Sequence, residues 1–233
     1  MRVAVVTGAS SGIGEELVRQ LGRQGWHTVG LSRRTSGSDE HEECDVSDRS
    51  SVDAAAGRVL ERHPRIDLLV NNAGMPARAK GFLDVEPERL EQATATNFLG
   101  GVWVTRAFLP GLGEGSHLVN VVSVAGEVAG GPYSATKHAQ LALSRSLAVE
   151  LASRGISVLT VKPGFVETPG FPQRRVRFGP LASRLVVDPP FVARRIIDGI
   201  AHDRREITVP RWYRPAAVLQ ALMPATLSRL RSR

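Results

Sequence analysis

Tyr133 and Lys137 stand four positions apart in Tyr-Ser-Ala-Thr-Lys, a spacing that places both side chains on one face of a helix. A free phenol ionises near a pH of about 10, so a tyrosine that moves protons at neutral pH needs that value lowered. A neighbouring ammonium does this by favouring the phenolate, at about 1.4 kcal/mol per unit of pKa. Lysine suits the task through its compact charge, and only three of the 30 basic residues are lysines: Lys80, Lys137 and Lys162.

A second constellation lies near the start of the chain, in Thr7-Gly8-Ala9-Ser10-Ser11-Gly12-Ile13-Gly14. It follows an apolar run and opens a helical pattern, which is where an α/β sheet takes up a dinucleotide. Gly8 permits the tight turn, Gly12 lets backbone approach a pyrophosphate, and Gly14 allows close helix packing; free N–H groups at the helix start supply the anion site. The second strand then ends in Ser32-Arg33-Arg34, without the acid that usually takes the ribose hydroxyls of NAD. A guanidinium bonds a phosphate through two parallel N–H groups, so Arg33 and Arg34 favour NADP, with NAD left open.

Short β-branched runs alternate with helical patterns, as in stacked βαβ units around a parallel sheet. Strands are expected near 2–6, 27–32, 42–45, 66–70, 116–122, 156–161 and 206–209, and helices near 12–24, 48–62, 87–110, 132–153 and 189–202. Asp188 caps the last of these helices, which Pro189 opens. Residues 34–41 are too few for a crossover helix, so the third strand is expected to be weak. The fold class is α/β: a Rossmann-type doubly wound parallel sheet in a single domain, strand order 3-2-1-4-5-6-7. A catalytic domain spans 1–210 with a lid near 169–187, followed by a basic amphipathic extension at 211–233.

The G-x-x-x-G-x-G spacing resembles the short-chain dehydrogenase/reductase family, and the resemblance continues in order along residues 1–170. Asp45-Val46 looks like the family's adenine-contacting pair. Asn71-Asn72-Ala73-Gly74 resembles its N-N-A-G motif, Asn97 lies in the Asn-x-x-Gly context, and Ser123, Tyr133 with Lys137, and Pro163-Gly164 with Val166 and Thr168 complete the set. The resemblance implies an NADP(H)-dependent oxidoreductase moving a hydride between nicotinamide and a secondary alcohol, ketone or aldehyde. Ser123 would bond the substrate oxygen, Tyr133 move the proton, and Asn97 hold a water linking Lys137 to solvent. Thr168 would bind the carboxamide. The physical logic agrees, because alkoxide character on oxygen needs a proton donor and a second hydrogen bond. The other reading kept open is a catalytically weak NADP-binding sensor or scaffold, since Ser123 and Tyr133 are only ten positions apart where relatives usually have a few more.

The chain has 233 residues, 42% hydrophobic and 23% charged, which excludes disorder and leaves no room for two catalytic domains. Its net charge of +7 is uneven: residues 170–233 carry 13 Arg and 4 acids. Such local excess argues against nucleic acid as the partner. The tail stripe Trp212, Ala216, Leu219, Met223, Leu227 and Leu230, flanked by arginines, packs on the body or a second subunit, or lies on an anionic membrane surface. The lid arginines Arg174, Arg175 and Arg177 either meet solvent or read an anionic substrate. A lone Cys44 and the absence of a signal-like or membrane-length run point to a cytoplasmic protein, peripheral to a membrane if the tail docks there. No His/Cys/Asp cluster has metal spacing along the chain, so no metal site is expected. Family resemblance implies a homodimer or homotetramer through the two long helices. The tail lacks the Asp-Gly-Gly ending of many fatty-acid-synthesis reductases and looks more like hydroxysteroid and retinol dehydrogenases.

Overall fold

The structure is a computed structural model that describes residues 1–222 except 78, 80, 129 and 174–184. Nine strands occur among them: β1 (Val3–Thr7), β2 (His27–Ser32), β3 (Glu40–Glu43), β4 (Leu68–Asn71), β5 (His117–Val121), β6 (Ser157–Pro163), β7 (Phe165–Val166), β8 (Val186–Val187) and β9 (Glu206–Val209). Seven form one sheet in the order β3-β2-β1-β4-β5-β6-β9, every pairing parallel, while β7 and β8 make a separate two-stranded ladder beside it. The expected order holds, with β9 as the seventh strand of the sheet.

The central strands read Val-Ala-Val-Val-Thr and Leu-Leu-Val-Asn because a parallel sheet is covered on both faces. On one face α2 (Arg49–Arg62) and α4 (Gly100–Phe108) bury Val52, Val59, Val104 and Phe108 against Val5, Val29 and Leu69. On the other, α1 (Gly12–Arg23) and α6 (Pro189–Ala201) bury Leu17, Leu21, Val192 and Ile196 against Val6, Val70 and Leu159. Each fully buried Leu or Ile contributes about 1.5–3 kcal/mol. Asp188 caps α6 as expected, accepting from the Phe191 N–H at 3.0 Å.

Two expectations needed revision. β3 begins at Glu40, two residues earlier than its composition suggests, because Thr28 tethers Asp39 through three hydrogen bonds of 2.8–3.0 Å and brings the edge into register. No helix lies between β2 and β3, as the short spacing requires. The long helix expected at 87–110 is instead α3 (Pro87–Thr94), a π-helical turn at Ala95–Leu99, and α4. The remaining helices are α5 (Gly131–Glu150) and α7 (Arg214–Leu222). Among the described residues no helix is long and apolar enough to cross a membrane.

Candidate active site and dinucleotide cradle

The C-terminal ends of β1 and β4 meet at the glycine turn. Thr7 Oγ1 donates to the Val70 carbonyl (3.1 Å) and accepts from the N–H groups of Asn72 (2.9 Å) and Ala73 (3.0 Å), while Asn72 Nδ2 donates to the Thr7 carbonyl (2.9 Å). Asn72 and Ala73 thus brace the turn. Gly8 and Gly12 both have positive φ, and a Cβ added at Gly14 would lie 2.3 Å from the Gly8 carbonyl oxygen. A Cβ at Gly12 would lie 3.0 Å from Thr168 Cγ2, which brings the far end of the expected site against the turn. Ser11 precedes α1 with extended backbone and its hydroxyl caps nothing; Ser10 and Ile13 are half-buried beside it. An anion is the natural partner for the N–H groups left at this twelve-residue helix. The glycine crest, the uncapped helix start and the Asn72 brace fit a pyrophosphate.

At the end of β2, buried Ser32 donates to the Arg34 carbonyl at 2.7 Å, which shapes the turn presenting Arg33 and Arg34 to solvent. Arg33 lies 3.7 Å from Asp45, with its side chain 72% exposed, a separation and exposure at which the pair contributes little. Burial raises the Asp45 carboxyl, but hydrogen bonds from Ser47 and the charge of Arg33 outweigh it and hold the group below its usual range. Val46 is buried beside it and packs against Gly100.

The catalytic candidates converge at the ends of β5 and β6. Ser123 opens a 3-10 turn, Val124–Gly126, and its Oγ accepts from the Ala125 N–H at 3.1 Å. Gly126 is pressed onto α5: a Cβ there would sit 2.7 Å from the Lys137 carbonyl oxygen. Ser134 fastens the same loop by donating to the Val128 carbonyl (2.6 Å) and to the Ala125 carbonyl. Ser123 Oγ also donates to the Pro163 carbonyl at 3.4 Å, and the short loop keeps this hydroxyl near enough to the Tyr133 phenol to act on it. Both are half-buried, whereas Lys137 is 3% exposed. Lys137 Nζ donates to Gln140 Oε1 (2.7 Å) and the Val121 carbonyl (3.3 Å), and among the described residues no carboxylate pairs with it. His138 faces away and bonds its own helix at the Ser134 carbonyl, 2.8 Å.

The expected lowering of the Tyr133 pKa is not what this geometry produces. Burial pushes the phenol above its ordinary value, opposed by the hydrogen bond with Ser123, and burial also pushes the Lys137 ammonium down to about 7. Lys137 Nζ is 5.8 Å from the Tyr133 ring centroid. At that range a partly neutralised ammonium does not offset the loss of water around the phenol. Burial therefore favours the neutral form of the Tyr133 phenol. Phe171 packs against its ring at 5.5 Å between centroids, anchored by its N–H to Thr168 Oγ1 at 3.1 Å.

Asn97 is fully buried on the π-helical turn. Its Oδ1 accepts from the Met75 N–H (2.8 Å), and its Nδ2 donates to the Met75 carbonyl (2.9 Å) and Thr136 Oγ1 (3.0 Å). It clamps the loop after β4 onto α5, and the extra residue of the π turn aims it there. A Cβ at exposed Gly74 would lie 3.4 Å from Asn97 Oδ1 and 3.6 Å from Lys137 Nζ, so all three surround one spot.

Two groups were missed. Lys162 is 7% exposed and bonds Glu127 Oε1 at 2.7 Å and Glu206 Oε2 at 2.9 Å, tying the Ser123–Tyr133 loop to β6 and β9. Its signal was its residue type, one lysine among arginines. Tyr213 sits where a Cβ on Gly164 would be, and donates to the Leu185 carbonyl at 2.9 Å. The chain beyond β9 thereby braces the Pro163-Gly164 step and the β7–β8 ladder that holds buried Val166. Burial pushes the Cys44 thiol up to about 11, consistent with a packed, unreactive side chain. Among the described residues His27, Glu40 and His63 converge, because pairing of β2 with β3 sets His27 near Glu40 and the end of α2 brings His63 to both. The lid arginines and the tail from Met223 onward lie outside the described residues.

The chain is 41% identical over 202 residues to the putative ketoacyl reductase of the monensin polyketide synthase from Streptomyces virginiae, covering 76% of this chain and 75% of that one. It is 38% identical over 191 residues to oxidoreductase UcpA of Salmonella typhimurium, covering 72% and 70%. Among solved structures, a variant of actinorhodin polyketide ketoreductase with NADPH matches at a TM-score of 0.77 and 29% identity, over 89% of this chain and 95% of that one. A short-chain dehydrogenase/reductase from Burkholderia phymatum in complex with NAD has the same fold, with a TM-score of 0.84 and 24% identity over 97% and 95%. The short chain dehydrogenase family profile matches residues 2–176. With the sheet order, the glycine turn and the Tyr133/Lys137 helix in place, the match places this oxidoreductase chain in the short-chain dehydrogenase/reductase family.

Proposed function

We propose that the chain is an NADP(H)-dependent carbonyl reductase and alcohol dehydrogenase acting on a ketone, a secondary alcohol or an aldehyde. The observation that carries this reading is the grouping of Ser123, Tyr133 and buried Lys137, whose Nζ lies 5.8 Å from the Tyr133 ring, with Gly74 and Asn97 beside it. Gly8, Ser10, Ser11, Gly12, Ile13 and Gly14 would hold the pyrophosphate, Asp45 and Val46 the adenine, and Asn72, Ala73 and Gly74 the floor beneath the ribose. Pro163, Gly164, Val166 and Thr168 would line the carboxamide end. When bound, the nicotinamide supplies or accepts the hydride. Ser123 donates a hydrogen bond to the substrate oxygen, and Tyr133 delivers its phenolic proton as negative charge develops there. Lys137 would hold the ribose hydroxyls, its ammonium would stabilise the phenolate left when Tyr133 gives up its proton, and Asn97 keeps the adjoining loop in place. The neutral phenol is the form needed for carbonyl reduction. The names of the ketoacyl and polyketide ketoreductase relatives support the same direction, and they do not favour the hydroxysteroid-like side suggested by the tail.

NADP preference rests on Arg33, largely exposed at the end of a β2 that lacks an acid. Arg33→Ala is expected to weaken NADPH binding by about 10- to 100-fold, the 1.5–3 kcal/mol of a charge-assisted hydrogen bond. NADH binding should change less than about twofold; titrating both nucleotides by protein fluorescence checks this, and equal losses contradict it. The second reading, a binding module without turnover, is favoured by Phe171 packed on the Tyr133 ring. The two readings part on turnover of wild-type protein with NADPH across a panel of ketones and aldehydes.

A further inference from the structure

We propose that His27, Glu40 and His63 form a binding site for a divalent transition-metal ion, with Zn2+ as the probe. The three residues come from three elements: His27 opens β2, Glu40 opens the neighbouring edge strand β3, and His63 ends α2. His27 Nε2 and His63 Nε2 both converge on Glu40 Oε1, at 2.7 and 2.8 Å, and all three donor atoms lie within 4.8 Å of one another. Two imidazoles and a carboxylate are a donor set that zinc takes in three-ligand sites, with water in the fourth position. Metal–ligand bonds of about 2.0–2.2 Å in a tetrahedron set the donors about 3.3 Å apart. The two imidazole–carboxylate separations need to open by about half an ångström, and the two imidazoles, whose ring centroids are 5.0 Å apart, need to settle at a similar donor spacing.

The surroundings suit such an ion. Arg62 Nε donates to Glu40 Oε2 at 3.0 Å, which orients the carboxylate from behind and leaves Oε1 toward the imidazoles. Neighbouring acids are engaged elsewhere: Asp39 with Thr28, and Glu42 with Arg58 and Arg62. All three candidate ligands are half-buried, so the donor set remains in reach of solvent. The ion would pin β3, an edge strand with no crossover helix before it, to β2 and to the end of α2. His27 and Glu40 lie at the N-terminal end of the parallel strands, opposite the glycine turn, so this inference stands apart from the proposed catalytic reading.

Untagged full-length protein, stripped with chelator, is titrated with ZnCl2 by calorimetry and then with CoCl2 followed by visible absorption. Wild type should take up one Zn2+ per chain, melt at higher temperature with Zn2+ present, and give the intense ligand-field bands of tetrahedral Co2+. His27→Ala and His63→Ala should each weaken Zn2+ by more than about 100-fold, beyond the 10–100-fold typical of an outer-shell loss. His63→Gln keeps an amide donor for Glu40 without an imidazole ligand, so it separates metal loss from misfolding. His202→Ala should bind as wild type does. Absence of saturable Zn2+ uptake by wild type overturns the proposal, and so does uptake that survives both His63→Gln and His27→Ala.

Discussion

Tyr133→Phe should lose carbonyl reduction by about 10³-fold or more, while NADPH affinity changes less than about twofold. Positioned proton transfer contributes about 10²–10⁴-fold, and Phe removes only the phenolic oxygen. The ring remains to pack against Phe171, and the Gly126 and Ser134 contacts that hold the loop on α5 do not involve the hydroxyl. Steady-state rates with NADPH, beside fluorescence titration of the same nucleotide, measure the two quantities. Equal loss of rate and affinity would assign Tyr133 a binding role instead of a proton-transfer role.

The second large effect concerns Lys137, a buried cation that the fold supplies with an amide and a carbonyl but no carboxylate. Unfolded, its ammonium holds a proton up to about 10.5; in the fold, burial lowers this to about 7. Between those values the unfolded chain binds more protons, so stability must rise with pH, by at most about 1.4 kcal/mol per unit from this group. Lys137→Met removes the cation, and with it this pH dependence, and leaves Gln140 Oε1 without its Lys137 donor. Urea unfolding at pH 7 and pH 9 should show the wild type gaining about 1–3 kcal/mol relative to Lys137→Met, while turnover falls by at least about 10²-fold. Parallel pH dependences in the two proteins would contradict the buried, unpaired charge. A residue that opposes folding near neutral pH yet serves chemistry is the pattern expected of a functional site.

Much of this molecule was legible in local sequence because its governing constraints are local. Gly8, Gly12 and Gly14 answer to backbone geometry within one turn, and Tyr133 and Lys137 to one helical repeat, so residue type and spacing are enough to place them in the fold. The sheet order followed from alternating apolar runs and helical patterns. Asn97 was placed on a long helix, but the π-helical turn that aims it at Met75 and Thr136 carries no sequence period of its own. The Glu127–Lys162 tie joins a loop to a strand 35 positions on, and His27, Glu40 and His63 meet through the pairing of β2 with β3 and the end of α2. Neither is visible until the sheet register is known. The direction of the Tyr133 shift is not legible for a related reason: four-residue spacing gives proximity to Lys137, whereas burial, which raises the phenol, is a property of the assembled fold.

The most direct test of the central claim is transfer of label. NADPH deuterated at the nicotinamide position that gives the hydride is mixed with a panel of ketones and aldehydes, and the alcohols are analysed by mass spectrometry. Catalysis at the Ser123/Tyr133 pair predicts one deuterium on the carbinol carbon with wild-type protein and about 10³-fold less with Tyr133→Phe. NADPH binding by wild type with no deuterium in any product, or undiminished transfer by Tyr133→Phe, would contradict it.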